Sequence, residues 1–278
     1  MALSKEFKKN KHKCFFLGLK PGIIKKNHIT IKNQKDDLKF TQEFIKKNKI
    51  KIIIKDIYSL SYKWEREIAM RNYLVVIDDY RNTKHFCNLY VNYNFKNFKN
   101  NNFKFLINNK CKKLIGPKYA IVRKLKIKKK FKFKRRSIFI YMGGSDKNMI
   151  MKKFVSLFKN RNFDKILKIF LLNKNHLQNI SLMKNVKNIK NKKILKNKIQ
   201  YFHRYIASSD LCITPAGITM LEQIALRSKN LIIAQNQIQK DAARPFDKAK
   251  VINYVQNINK LNYEKILKIL NKKKNQRK

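Results

Sequence analysis

The chain has 278 residues, of which 44% are hydrophobic and 12% aromatic, and its formal net charge is +52. This much apolar side-chain surface can build packed cores, which excludes a wholly disordered chain. The six glycines, four prolines and four scattered cysteines exclude a collagen-like chain and a disulfide scaffold. The length suits two α/β domains, although one large domain is also compatible with it.

The first half of the chain alternates between helical and strand patterns. Periodicity predicts helices over 2–11, 38–48 and 60–70, and short apolar runs predict strands over 14–17, 50–57 and 73–77. The segment 20–35 is expected to be irregular, because Pro21-Gly22 marks a turn. The predicted strands are apolar on both faces, which is typical of a parallel sheet covered by helices.

The second half repeats this alternation after an almost entirely basic segment at 125–136. Strands are predicted over 137–142, 166–172, 211–214, 231–234 and 251–255, with helices over 148–159, 199–208, 217–227 and 261–270. The basic segment is interpreted as a linker between domains at 1–124 and 137–271, and 272–278 as a basic tail. The predicted fold class is therefore α/β, with two similar halves that each contain a parallel sheet covered by helices.

The charge of +52 has two interpretations. In the first, the charge indicates binding to nucleic acid or to an anionic membrane surface. In the second, the charge reflects codon bias, because Lys, Asn and Ile, which A- and T-rich codons encode, are all abundant. A surface evolved to bind phosphate would also contain more arginine relative to lysine. The lysines are also spread along the chain. Compositional drift is therefore favoured, and no specific nucleic-acid partner is expected.

Other signals concern the compartment and cofactors. No apolar run reaches the roughly 18 residues that a transmembrane helix needs, and no signal-peptide pattern opens the chain. The cysteines lack C-x-x-C spacing and the histidines are isolated, so no metal or other cofactor is predicted. These features favour a cytoplasmic protein with reduced thiols.

Two strand-to-helix turns in the second half are candidate phosphate sites. Gly143-Gly144-Ser145 follows a strand, and glycines there let backbone N–H groups approach a phosphate at a helix N-terminus. After the strand ending at Thr214, small residues form a second turn, and Thr219 can cap the helix or contact phosphate. The alternative for the first turn is an ordinary βα connection.

Polar side chains near these turns are candidate sugar ligands. Glu222 would repel a phosphate and suits ribose hydroxyls better, although a carboxylate near a helix start also complements the helix dipole. Asn236-Gln237 follows the next strand, and ligands of open parallel sheets bind at that edge. These amides suit sugar hydroxyls or acetamido groups, or are simply loop residues.

Several segments together carry a resemblance to a known family. They are LVVIDD (74–79), IGPKYAIVR (115–123), MGGSD (142–146), SDLCI (209–213) with Gly217 and Glu222, and AQNQ (234–237). In this order they resemble the PseG family, the hydrolases of UDP-2,4-diacetamido-2,4,6-trideoxy-β-L-altropyranose in pseudaminic acid biosynthesis. The resemblance implies a GT-B-like architecture, in which two doubly wound, Rossmann-type domains face a cleft, as in MurG-type glycosyltransferases.

The resemblance also implies a reaction and a site. Water would cleave the bond between the anomeric carbon and UDP. The implied substrate-binding residues are Gly143, Gly144, Ser145, Gly217 and Thr219 at the diphosphate, Glu222 at the ribose, and Asn236 and Gln237 at the sugar. Asp78 and Asp79 match the family's strand-end acidic pair and are possible catalytic groups.

Two departures from the family pattern stand out. Ala216 replaces a usual glycine. The family also begins with a strand and a G-x-G-H-x-x-R loop, whose histidine is the proposed general base, whereas residues 1–7 match the helix after that loop. The expectation is a first domain without its first strand and a base encoded upstream of Met1. A GT-B glycosyltransferase using the same UDP site, or an inactive nucleotide-sugar-binding remnant, is the alternative.

Overall fold

The computed structural model describes residues 2–18, 28–30, 36–78, 83–94, 107–122, 125, 127, 129–144, 146–196 and 201–272. The chain divides into two compact units, Met1–Ile121 (the first unit) and Val122–Lys278 (the second unit). No helix in the described ranges is long and apolar enough to cross a membrane.

The first unit is built on a four-stranded parallel sheet. Its helices are α1 (Ala2–Lys9), α2 (Asp37–Asn48) and α3 (Tyr62–Ala69), and its strands are β1 (Phe16–Gly18), β2 (His28–Thr30), β3 (Ile52–Lys55), β4 (Tyr73–Ile77), β5 (Leu89–Asn92) and β6 (Lys112–Ile115). The sheet order is β3-β4-β5-β6, and β1 pairs with β2 separately. Since the four strands are parallel, their carboxyl ends lie at one edge.

Strand β4 is buried on both faces, as its apolar sequence predicts. Leu74 and Val76 point to one face and pack in a core with Trp64 of α3. Val75 and Ile77 point to the other face. This alternation follows from the two-residue period of a strand, and it aims the residue after β4 at the side covered by α3.

The second unit is a six-stranded parallel sheet with helices. Its strands are β7 (Ser137–Tyr141), β8 (Leu167–Leu172), β9 (Lys192–Lys196), β10 (Leu211–Pro215), β11 (Asn230–Ile233) and β12 (Tyr254–Val255). Its helices are α4 (Ile150–Leu157), α5 (Lys174–Gln178), α6 (Ile180–Lys187), α7 (Phe202–Ser208), α8 (Ile218–Ala225), α9 (Gln237–Lys248) and α10 (Tyr263–Asn271).

The strand order of this sheet is β9-β8-β7-β10-β11-β12. This is the 3-2-1-4-5-6 order of a Rossmann domain, with the first strand at the centre. After β7, the chain adds β8 and β9 on one side of it. It then crosses back and adds β10, β11 and β12 on the other side. The crevice at the carboxyl ends of β7 and β10 is therefore the switch point where such sheets bind ligands.

The structure adds detail to two segments that the sequence analysis described. The segment 20–35, expected to be irregular, contains β2, which pairs in parallel with β1. In the segment interpreted as a linker, Phe131 and Phe133 pack against Tyr205 of α7. These rings explain why an otherwise basic segment is attached to the second unit.

Candidate functional site

The turn after β7 contains Gly143 and Gly144. Gly143 has a φ of +80°, a left-handed conformation that favours glycine. A Cβ atom at Gly143 would lie 3.6 Å from Pro215 Cγ, so this turn lies directly against the last residue of β10. A Cβ atom at Gly144 would meet nothing within 4 Å. Ser145 lies outside the described residues.

Buried side chains hold the first turn in place. Both carboxylate oxygens of Asp146 accept hydrogen bonds of 2.9 Å from the first two backbone N–H groups of α4. His176 accepts a hydrogen bond from the backbone N–H of Asn173 at Nδ1, so its Nε2 carries the hydrogen that it donates to Asp146, at 2.8 Å. The side-chain amide of Asn173 donates to the carbonyl of Gly143, at 3.2 Å. The turn is thus fixed to the end of β8.

The turn after β10 leads into helix α8. The backbone N–H of Ala216 donates to Ile233 of β11, which extends the ladder one residue beyond β10. Gly217 is exposed, and Thr219 in the first turn of α8 is half-buried. The structure therefore places the two predicted glycine turns after neighbouring strands at the switch point. Gly217 directly precedes α8, whereas Gly144 lies six positions before the first residue of α4.

Glu222 lies one turn further along α8 and is almost fully buried. Its Oε1 lies 2.9 Å from Nε2 of His203, on α7, but the two atoms are not aligned for a hydrogen bond. Burial, with the charge of Glu222, raises the pKa of Tyr141, at the carboxyl end of β7. Glu222 therefore already has a protein partner beside the switch point.

The amides after β11 are placed differently from one another. Asn236 caps α9 by accepting a hydrogen bond from Gln239. Gln237 donates to Asp241 within the same helix, at 3.0 Å. Gln235, which the sequence analysis did not single out, donates to the carbonyl of Met142 at the end of β7, at 2.7 Å. Gln235 thus links the turn after β11 to the glycine turn.

In the first unit, four ionisable side chains form a buried row, Lys55–Glu65–His85–Asp78, called here the charged row. Lys55 donates to Oε1 of Glu65 at 2.5 Å, and Nδ1 of His85 lies 2.9 Å from the same oxygen. Nε2 of His85 lies 3.0 Å from Oδ2 of Asp78. Each of the four side chains is at most 5% exposed.

The charged row follows from local structure. Lys55 ends β3 on the face that packs against α3, and Asp78 continues the face of Leu74 and Val76 beyond β4. Glu65 lies in the first turn of α3, and its Oε2 accepts the backbone N–H of Phe86. Asp79 lies outside the described residues.

His85 lies between two carboxylates. Burial alone would lower its pKa, but hydrogen bonds to Asp78 and Glu65 outweigh burial and raise the pKa from 6.5 to about 9. Both ring nitrogens therefore donate at neutral pH, to one carboxylate each. The row then alternates in sign, with two positive and two negative groups.

The sequence analysis missed the contacts of three histidines. It treated every histidine as isolated, but His85 and His176 each contact an aspartate, and His203 faces Glu222. Within the sequence, the available signal was Asp78 followed by His85, since both come after the predicted strand 73–77 and lie in the connection from β4 to β5. The partners Glu65 and Lys55 gave no such signal.

The comparisons with known proteins concern the fold. No protein-family model and no curated protein matches the sequence. Among solved structures, MurG of Acinetobacter baumannii superposes with a TM-score of 0.66 at 9% identity, covering 97% of this chain and 85% of MurG. The calicheamicin glycosyltransferase CalG4 gives 0.66 at 9% identity, with 99% and 85% covered. The chain has a GT-B-like fold.

A third GT-B neighbour is a putative UDP-N-acetylglucosamine 2-epimerase from Listeria monocytogenes. It superposes with a TM-score of 0.61 at 12% identity, covering 98% of this chain and 83% of the epimerase. The predicted α/β fold class with two Rossmann-like domains is thereby confirmed. At these identities, the likeness concerns the GT-B fold alone.

Proposed function

We propose that the chain is a nucleotide-sugar hydrolase that releases UDP from UDP-2,4-diacetamido-2,4,6-trideoxy-β-L-altropyranose. The observation that carries the nucleotide part is the contact between the turn at Gly143 and Pro215. It places the glycine turn after β7 beside the end of β10, at the switch point of a Rossmann sheet, and Gly217, just beyond β10, caps α8. Backbone N–H groups and helix dipoles at such a point suit a diphosphate.

The residues of the second unit then take separate roles. The diphosphate lies along the glycine turns (Gly143, Gly144 and Gly217) and contacts Thr219. Glu222, which lies beside His203, accepts hydrogen bonds from the ribose hydroxyls. Asn236 and Gln237 serve the sugar side, for which Gln237 must exchange its hydrogen bond to Asp241 for one to the substrate.

The hydrolytic part rests on the sequence resemblance to the PseG family. In that reaction a water oxygen bonds to the anomeric carbon while the bond from this carbon to the UDP oxygen breaks. UDP leaves with the bonding electrons, and a base takes the proton of the water. Asp78 and Asp79 are the candidate bases in this chain. Supporting evidence for an enzyme of nucleotide sugars comes from the glycosyltransferases and the epimerase that share the fold.

A glycosyltransferase is the second candidate, favoured by the likeness to MurG and CalG4. Incubation of the UDP-sugar with the chain, with and without a panel of acceptors, separates the two. A hydrolase releases UDP and free sugar without an acceptor. Release that requires an acceptor would establish a transferase, and UDP binding with no release under either condition would establish an inactive binding protein.

A further inference from the structure

Two buried cysteines of the first unit contact each other where β5 and β6 begin. Cys87 lies just before β5 and Cys111 directly before β6, and the two strands are neighbours in the parallel sheet. The exposed fractions of Cys87 and Cys111 are 1% and 7%, and their Sγ atoms lie 3.5 Å apart. This is a non-bonded contact between two thiols, in which one S–H donates weakly to the other sulfur.

We propose that Cys87 and Cys111 form a redox-sensitive pair, which hydrogen peroxide converts into a reversible disulfide that joins β5 to β6. The Cys111 thiolate attacks one peroxide oxygen, the O–O bond breaks, and hydroxide leaves and takes up a proton to become water. The sulfur of Cys87 then bonds to the resulting sulfenic sulfur, whose hydroxyl group leaves as water with the Cys87 proton. Two thiols are thus oxidised to one disulfide while one peroxide is reduced to two waters.

Backbone hydrogen bonds on either side of the pair hold the two segments together. The N–H of Cys87 donates to the side-chain oxygen of Asn108, at 3.0 Å, and the N–H of Lys112 donates to the carbonyl of Asn88, at 2.9 Å. A disulfide needs its sulfurs at about 2.05 Å, so they must approach each other by roughly 1.5 Å. Side-chain rotation suffices for an approach of this size, so the backbone pairing is kept.

The two thiols differ in reactivity. The contact with Cys87 lowers the pKa of Cys111 and outweighs burial, and the positive charge of Lys113 lowers it further. The same contact, together with burial, raises the pKa of Cys87. Cys111 is also the more exposed of the pair. Since the thiolate is the nucleophile that reacts with peroxide, Cys111 reacts first and Cys87 is the resolving thiol.

The disulfide would stabilise the first unit. It would join residues 24 positions apart in the sequence and so restrict the unfolded chain. Both cysteines pack in the core that contains Trp64, the single tryptophan of the chain. In a reducing compartment such a bond is transient, so the pair would strengthen this core only while an oxidant is present.

The direct test is a peptide map of the reduced wild type after exposure to hydrogen peroxide in native buffer. We expect two of the four thiols to be protected from alkylation, and trypsin to release peptide 85–96 joined to the dipeptide 111–112. Dithiothreitol should reverse the link. The thermal midpoint, followed by Trp64 fluorescence, should be higher in the oxidised protein by about 5 °C or more.

Three serine variants separate the roles of the cysteines. Cys14→Ser changes a half-buried cysteine of the same unit and should form the link as the wild type does. Cys87→Ser should leave the sulfenic acid of Cys111 unresolved, so that dimedone labels position 111. Cys111→Ser should show neither a link nor a label at position 87.

Several results would overturn the proposal. They are four alkylatable thiols after peroxide treatment of the wild type, a link that involves Cys14 or Cys212, or a link between Cys87 and Cys111 that forms only in urea. An unchanged thermal midpoint in the oxidised protein would refute the stabilising role. These measurements use the wild type, so they decide the matter even if a serine variant fails to fold.

Discussion

His176 donates a hydrogen bond of 2.8 Å to Asp146, and both side chains are completely shielded from solvent. The contact joins helix α5, after β8, to the turn after β7. Since Asp146 also caps α4, one carboxylate satisfies three donors that have no access to water. The shape of the glycine turn therefore depends on a residue 30 positions away in the sequence.

Replacing Asp146 by alanine should destabilise the second unit by about 3 kcal/mol, because buried donors lose their acceptor. Amide hydrogen exchange in β7 and β8 measures this loss locally. Asp164→Ala is the control, since Asp164 pairs on the surface with Lys190 and should cost less than about 1 kcal/mol. Equal exchange rates in the two variants would contradict a special role for Asp146.

The two glycines of the first turn should respond differently to alanine. Gly143→Ala forces an alanine into the left-handed region and should cost about 1–2 kcal/mol of stability. Gly144→Ala has open space and no such strain, so stability should change little while UDP affinity falls, because a methyl group would keep phosphate from the backbone. Thermal unfolding and calorimetric titration with UDP measure the two effects. Full UDP affinity in Gly144→Ala would place the diphosphate elsewhere.

Glu222→Ala should weaken UDP binding by about 1.5–3 kcal/mol, the expected contribution of hydrogen bonds to a charged group. Calorimetry measures the affinity, and Glu264→Ala, an exposed glutamate at the start of α10, is the control. His203→Gln distinguishes the alternative. If Glu222 serves only to pair with His203, both variants should lose stability and neither should lose UDP affinity.

Stability of the first unit should depend on pH through His85. Its pKa is raised to about 9, so its contribution is fully present below about pH 6.5 and is lost as the pH rises through 9. Urea unfolding followed by Trp64 should show a loss on the order of 3 kcal/mol between pH 6 and pH 9.5 in the wild type. His85→Gln should flatten this dependence, and His12→Gln should not. An unchanged slope in His85→Gln would show that other groups cause it.

Parts of the fold followed directly from local sequence. Strand β4 has the predicted bounds, because five consecutive apolar residues bounded by polar ones leave little choice. The glycine turns could be expected to meet, since both follow parallel strands of one sheet. Strand β9 was missed because its sequence, KKILK, has too few apolar residues to show a buried-strand pattern.

The charged row could not be predicted from the sequence. Glu65 and His85 meet only because α3 packs over β4 in a particular register, and nothing in the spacing of 20 residues encodes that register. For Asn236 and Gln237, in contrast, the position could be predicted but the hydrogen-bond partners could not. Their position after a strand was predictable, but whether an amide caps its own helix depends on backbone geometry at the helix start.

Strand β9 also bears on whether a second molecule can pair with this sheet. In the described part of the chain, β9 and β12 are the outer strands of the second sheet. β9 carries three lysines in five residues, and β12 is only two residues long. A second molecule that added a strand beside β9 would bring like charges together, and β12 offers too few backbone groups for pairing. The lysines of β9, whatever the origin of the lysine excess, thus disfavour strand addition at this edge of the sheet.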